Sequence, residues 1–421
     1  MFIKTAIFTL LLVTSYSYAT LKVIDEQPLV TAQSLAFKSE ILESPPKVDI
    51  YLPSDYHETA ETIRYPLILT LDGWALSQTV SGVVNHLSNT ASMPKAIVVA
   101  IDSDNEYAWG PNLYVSNSGW NNPKDSRLDG FSGGEADKYL TFLEQELLPL
   151  LDSRYHTNDF RILIGMSPSA TFTLHTLWKA PELFDAHFVF AATDVIGMGY
   201  TPDTTFVDKI AESLAKEPNR KGYLYVASAQ READRKPQRQ ENVDALIEAL
   251  APYTAKNFKL KAEHIPNFGH YPMALPGLLS ALDLVFPREK FGMSGKFGEF
   301  LKTEKPFDTI TAYYKDLSAQ VGFDIYPNPD LRRNAASLRV AGYRLRNKGE
   351  YEQAEKIYQL WLDMVPNSVK AKYGLAAVYE AKGEKSLAAT HFSQALNIAK
   401  QIDSPLVKVI EEKLVKLNTA D

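Results

Sequence analysis

The 421-residue sequence contains no cysteine. That excludes disulfides, thiolate metal sites, a thiol nucleophile and lipid attachment at an N-terminal cysteine. Basic residues are not in surplus either: 44 Lys and Arg stand against 51 Asp and Glu, for a formal net charge of −7. With no basic stripe to neutralise a row of phosphates, nucleic acid is not an expected partner. No apolar run near the N-terminus reaches the roughly 20 residues that cross a bilayer, so no stable membrane anchor is expected. Metal-ligand spacings such as HExxH and glycine-rich phosphate loops are missing as well, and neither a metal nor another cofactor is implied.

The first residues do carry a pattern. Lys4 precedes an apolar run from Ala6 to Val13, and the small residues Ser17 and Ala19 precede a cut expected after Ala19. Residues 1–19 therefore read as a cleavable signal peptide, and the mature protein as soluble and periplasmic or secreted. Hydrophobic residues at 45% and charged residues at 23% are the mixture of a packed chain. Its length calls for two or three units, one with a large core.

Short β-rich runs alternate with longer amphipathic stretches, as in a mostly parallel sheet whose strands are joined through helices. Strands are expected at 47–53, 66–73, 96–103, 161–167, 187–194, 223–230 and 259–267. Helices are expected near 205–217, 237–251 and 274–286, and Tyr139, Phe142, Leu143 and Leu147 have the spacing of another. Residues 20–295 are assigned to this α/β domain, and 296–330 to a connector packed on it.

From Leu331 onward a period of 34 residues emerges. Gly349, Ala354 and Tyr358 recur as Gly383, Ala388 and Phe392, and the same offset links Gly342 to Ala376 and Leu345 to Tyr379. The pattern resembles tetratricopeptide repeats, so 331–421 is expected to be an all-α repeat domain ending in a capping helix. Two repeats are few for an independent solenoid, and docking on the α/β domain is expected. The repeat surface is a candidate site for a protein or peptide partner.

The segment FRILIGMSPSATFTLHTLWKAPELFD at 160–185 joins a β-rich strand to a helix through a turn of small residues, which is where an α/β hydrolase carries its nucleophile. Gly165, Ser167 and Ser169 occupy the positions of G-x-S-x-G, with serine in place of the last glycine. Ser167 is the candidate nucleophile. His270, in a Gly-flanked loop after the last expected strand, is the candidate base. Glu232 is preferred as the third member, and Asp234, two residues on, remains open. Backbone donors for an oxyanion are expected at Gly73 and Trp74, after the strand PLILTLDG. A lid or pocket is expected to draw on 104–132, where Tyr107, Trp109, Tyr114, Trp120 and Phe131 alternate with small and polar residues.

Together KVDIYLP, YPLILTLDG, the stretch from FSGGEADKYL to RILIGMS, KAPELFDA and GHYPMALPGLLSAL resemble the esterase family of α/β hydrolases that includes esterase D and the siderophore esterases. The likeness covers most of 45–290. The connector AYYKDLSAQVGFDIYP with the helical repeats is similar to C-terminal extensions of some bacterial members. The resemblance implies an α/β-hydrolase fold, a Ser-acid-His triad, an acyl-enzyme and a small ester substrate.

Three features depart from that pattern. Met166 and Ser169 stand where related esterases often carry histidine and glycine, and IDSDNEYAWGPN lacks the charged residues common in that loop. Pro168 follows the nucleophile and has no N–H, so one usual oxyanion donor is missing, with the Ser169 hydroxyl as its expected substitute. Because proline restricts the residue before it to extended conformations, the elbow is expected to be relaxed. The favoured reading is a serine ester hydrolase. The alternative is a catalytically impaired hydrolase fold that binds a partner through its repeats.

Overall fold

The computed structural model describes Glu26 and residues 29–102, 136–197, 199–201, 204–293, 295–331 and 336–419. The expected leader, 1–19, and the aromatic segment 104–132 lie outside the described residues. By contacts the chain divides into Met1–Thr31 and Ala32–Asp421, and every strand and helix described belongs to the second unit.

The strands are β1 (Gln33–Leu35), β2 (Lys47–Tyr51), β3 (Tyr65–Thr70), β4 (Ile97–Asp102), β5 (Thr157–Met166), β6 (Ala186–Phe190), the short pair β7 (Gly199–Thr201) and β8 (Thr204–Thr205), β9 (Gly222–Ala229) and β10 (Phe258–Ile265). Apart from the β7–β8 ribbon they form one eight-stranded sheet in the order β1-β2-β4-β3-β5-β6-β9-β10. The first two pairings, β1 with β2 and β2 with β4, are antiparallel, and from β4 across to β10 every pairing is parallel. Every residue of β3 and of β6 is buried, which explains their largely apolar runs, interrupted only by His187 in β6 and Thr70 at the end of β3: a strand covered on both faces has no polar side to show. Each fully buried Phe, Val or Leu in them contributes about 1.5–3 kcal/mol.

Helices cover the two faces. α1 (Gly73–Asn89) joins β3 to β4; α2 (Ala136–Phe142), a π-helical stretch Leu143–Leu147 and α3 (Leu148–Arg154) lead into β5; α4 (Pro168–Lys179) joins β5 to β6. α5 (Phe206–Lys216) precedes β9, while α6 (Gln230–Arg235) and α7 (Gln238–Thr254) fill the crossover to β10. α5 begins in a capping box, in which the Thr205 hydroxyl accepts from the Asp208 N–H and the Asp208 carboxylate accepts from the Thr205 N–H. After β10 come α8 (Ala274–Val285), α9 (Arg288–Phe291), α10 (Lys296–Phe300) and α11 (Pro306–Val321), the last closed by Gly322 at φ 90°.

The C-terminal region is all helical: α12 (Leu338–Asn347), α13 (Tyr351–Met364), α14 (Val369–Lys382), α15 (Lys385–Gln401) and α16 (Val407–Thr419). Residues 34 apart hold equivalent places. Gly349 and Gly383 take φ of 84° and 79° after α12 and α14, and Ala354 and Ala388 are fully buried one helix later. Tyr358 lies between Gly342 and Gly374, where a Cβ on either glycine would collide with its ring. These helices dock on the sheet region. The Ala60 N–H donates to Met364 O at 2.8 Å and Lys348 Nζ to Leu301 O at 2.7 Å, and one buried apolar cluster runs from Leu42 through the strands to Val378.

One polar side chain sits badly in this core. His187 on β6 is 1% exposed, and neither ring nitrogen has a hydrogen-bond partner among the described residues. Burial, with Arg220 adding to it, lowers its pKa from 6.5 to about 3. The stability tied to its neutral form is therefore complete above pH 6.5 and is lost as pH falls towards 3. His187→Leu should raise the unfolding free energy by about 1–3 kcal/mol at pH 7 by removing the unpaired nitrogens. Its advantage over wild type should then widen by up to about 1.4 kcal/mol per pH unit on acidification below 6.5, and urea titrations at pH 7, 6 and 5 check both statements.

Candidate active site

Five adjacent parallel strands, β3, β5, β6, β9 and β10, end on the same edge of the sheet. In an open α/β sheet the crevice beyond the carboxyl ends of the strands is where ligands bind. Ser167 follows β5 there, as the residue between the strand and the first turn of α4.

The elbow is not relaxed. Ser167 has φ 58° and ψ −113°, a conformation that costs a non-glycine residue about 1–3 kcal/mol. Pro168 does not prevent it, because a following proline disfavours the right-handed helical region, which this geometry avoids. Proline is also at ease at the first position of a helix, where its fixed φ suits the turn and no intrahelical N–H bond is lost. The Ser167 N–H donates to Phe190 O at 2.8 Å on the neighbouring strand. Gly165 is required for the approach of α4, since a Cβ there would run into Thr173 Oγ1 and Ser169 O.

Asp72, between β3 and α1, supports the same turn from the other side. It stands at the N-cap of α1, yet its carboxylate makes no capping bond. Instead Oδ2 accepts the Met166 N–H at 3.0 Å and the Ser169 hydroxyl. Loss of water raises this carboxyl from 3.8 to about 6, against the lowering effect of those two bonds. The expectation that the Ser169 hydroxyl supplies an oxyanion donor is thereby corrected: Ser169 is 1% exposed, its proton goes to Asp72, and its oxygen accepts from Met166 N–H at 2.7 Å. Gly73 and Trp74 are the first two residues of α1, and among the described residues no acceptor meets their N–H groups.

His270, in the loop after β10, reaches back across the sheet edge. Its Nε2 lies 3.0 Å from Ser167 Oγ, and its Nδ1 lies 2.7 Å from Glu232 Oε1. Glu232 comes from the first turn of α6, directly after β9. The hydrogen bond from His270 lowers its pKa, partly countered by burial and helped by the nearby His270 and Arg239 charges. Asp234, the other acid left open by the sequence, instead accepts from Gln230 Nε2 at 2.8 Å on the exposed side of α6. Ser167, Glu232 and His270 thus form one hydrogen-bonded chain, with Gly73 and Trp74 opening the adjacent helix.

The rim beside His270 is apolar and open. Tyr271 and Trp74 meet edge to face at 5.8 Å while remaining 45% and 53% exposed, and Phe268, Leu275 and Leu279 are also partly uncovered. Two contributions to this site escaped the sequence. Asp72 was read only as part of the run PLILTLDG, and its bonds to Met166 and Ser169 reveal its task. Arg239, at the start of α7, contacts both Glu232 and Asp194, a link between distant loops that carries no local signal.

Comparison with known proteins agrees with this architecture. An uncharacterised protein from Capnocytophaga ochracea superposes with a TM-score of 0.53 at 18% identity, covering 92% of this chain and 100% of that one. An IroE-like serine hydrolase from Shewanella oneidensis gives a TM-score of 0.55 at 18% identity, covering 78% of this chain and 97% of that one. At such identities these likenesses establish the fold. No match is found among curated proteins. The family model described as "Putative esterase" matches residues 39–271, which take in the elbow, the acid and the histidine loop. The chain belongs to this esterase family of α/β hydrolases.

Proposed function

We propose that the protein is an exported serine hydrolase that cleaves an ester, or a related acyl bond, of a small substrate. The observation that carries the reading is the continuous contact from Ser167 Oγ through His270 to Glu232, at 3.0 and 2.7 Å. His270 Nε2 takes the hydroxyl proton as Oγ attacks the carbonyl carbon, and Glu232 holds the ring so that Nδ1–H points away from the reaction. The negative oxygen of the tetrahedral intermediate is met by the N–H groups of Gly73 and Trp74, which have no acceptor among the described residues. Collapse expels the alcohol, which takes the proton from His270. Water, deprotonated by the same imidazole, then attacks the acyl-serine and returns the free enzyme with a carboxylic acid.

The apolar rim favours a substrate with an aryl or alkyl portion lying against Trp74 and Tyr271. Export rests on the leader at 1–19, and among the described residues no helix is long and apolar enough to cross a membrane. A groove beside α12 and α14, lined by Tyr343, Tyr373, Arg339, Arg346 and Lys370, supports a protein or peptide partner for the repeats. The second reading, a binding protein with an impaired site, is favoured by Pro168, whose missing N–H removes a donor worth about 10²–10³ in turnover.

Hydrolysis of p-nitrophenyl acetate separates the two. Ser167→Ala should reduce the rate to that of buffer, whereas equal rates in both proteins would take Ser167 out of the mechanism. Pro168→Gly should restore an N–H at the elbow and raise kcat about tenfold. No gain would mean that the N–H groups of α1 already suffice.

A further inference from the structure

The acid that meets His270 has a second contact, which the triad itself does not need. Glu232 Oε2 lies 3.3 Å from Arg239 Nη1, and Arg239 Nη2 donates to Asp194 Oδ2 at 2.8 Å. The guanidinium is 11% exposed, and the two carboxylates are each 21% exposed. Asp194 lies just beyond β6 and Glu232 just beyond β9, two strands paired side by side from Ala186 with Tyr223 to Phe190 with Ala227. Asp194 is itself held, since its Oδ1 accepts the Val195 N–H at 3.1 Å. One turn further along α7, Asn242 Nδ2 donates to Thr193 O at 2.9 Å and fixes the helix against the same loop.

We infer that Arg239 is a positioning residue for the triad. Its guanidinium is anchored by the hydrogen bond to Asp194 and stands in ion-pair range of Glu232 Oε2, which has no hydrogen-bond partner among the described residues, so a charge contact holds that oxygen and leaves Oε1 facing the imidazole. A glutamate has several rotamers open to it, and an ion pair on its second oxygen narrows that choice. Among the described residues His264 on β10 also feels Arg239: burial and then the guanidinium hold its pKa below the usual value, with Asp234 and Asp244 acting in the opposite direction. His264 is therefore neutral at pH 7, and the charges of the cluster are Arg239, Glu232 and Asp194. Nothing about the spacing of Asp194, Glu232 and Arg239 in the sequence announces their meeting.

The inference rests on the proposed triad, so its test has one readout that needs no turnover. The hydrogen bond from His270 Nδ1 to the Glu232 carboxylate should give a low-field proton resonance in the full-length protein, in wild type and in Ser167→Ala alike. Arg239→Met should abolish or move that resonance and lower kcat for p-nitrophenyl acetate about tenfold with KM within about twofold. Arg239→Lys, which keeps the charge without the fork, should give an intermediate result in both. Asp194→Asn, which leaves the guanidinium in place but frees one side of it, should lower kcat about threefold and keeps the question open to measurement should Arg239→Met fold poorly by circular dichroism. An Arg239→Met protein with wild-type resonance and kcat overturns the inference, and so does a loss in kcat that leaves the resonance unmoved. A resonance that responds to Arg239 in a protein without esterase turnover would retire the hydrolytic reading and leave the positioning role intact. Wild type lacking the resonance would sink both.

Discussion

The strained backbone at Ser167 is the point on which the site depends. A residue held at φ 58° gives up about 1–3 kcal/mol. Three interactions offset this: the Ser167 N–H bond to Phe190 O, and the two bonds that Asp72 accepts from Met166 and Ser169. Bonds to a charged acceptor contribute about 1.5–3 kcal/mol each, and burial of the Asp72 carboxyl, which raises its pKa to about 6, takes back part of this. The same carboxylate does not cap α1, and among the described residues the N–H groups of Gly73 and Trp74 have no acceptor. One half-buried acid thus links the shape of the elbow to the polarity of the cleft beside it.

Much of the architecture was legible in the sequence because its signals are local. The runs around Ile68, Val99, Leu163 and Val226 are apolar without alternation, as strands covered on both faces must be. The 34-residue offset survives as matched turns at Gly349 and Gly383. The order of serine, acid and histidine along the chain could be read from the order of the strands, since in a parallel sheet each strand end delivers its residue to the same edge.

What could not be read is what depends on approach between distant segments. Sequence rules tie proline to extended neighbours, and they predicted a relaxed elbow; the observed strain is a tertiary effect in which β6 and Asp72 override local preference. Ser169 looked like a spare hydroxyl until Asp72 was seen to accept its proton. Arg239 carried no signal beyond its place in an expected helix, and its burial follows from the packing of α7 on β10 and on the segment after β6. In each case the missing information was a partner more than 40 residues away or a side chain's direction, neither of which periodicity encodes.

The apolar cluster that begins at Leu42 takes in Ala354, Trp361, Met364 and Val378. A chain growing from its N-terminus therefore cannot finish this interior when the last strand is made. Ile357 and Leu375 belong to the same interior, so the α/β region waits on helices that follow its last strand. Premature termination within α13 would leave the enzyme-like part complete in sequence but open in structure, with oily surface facing water.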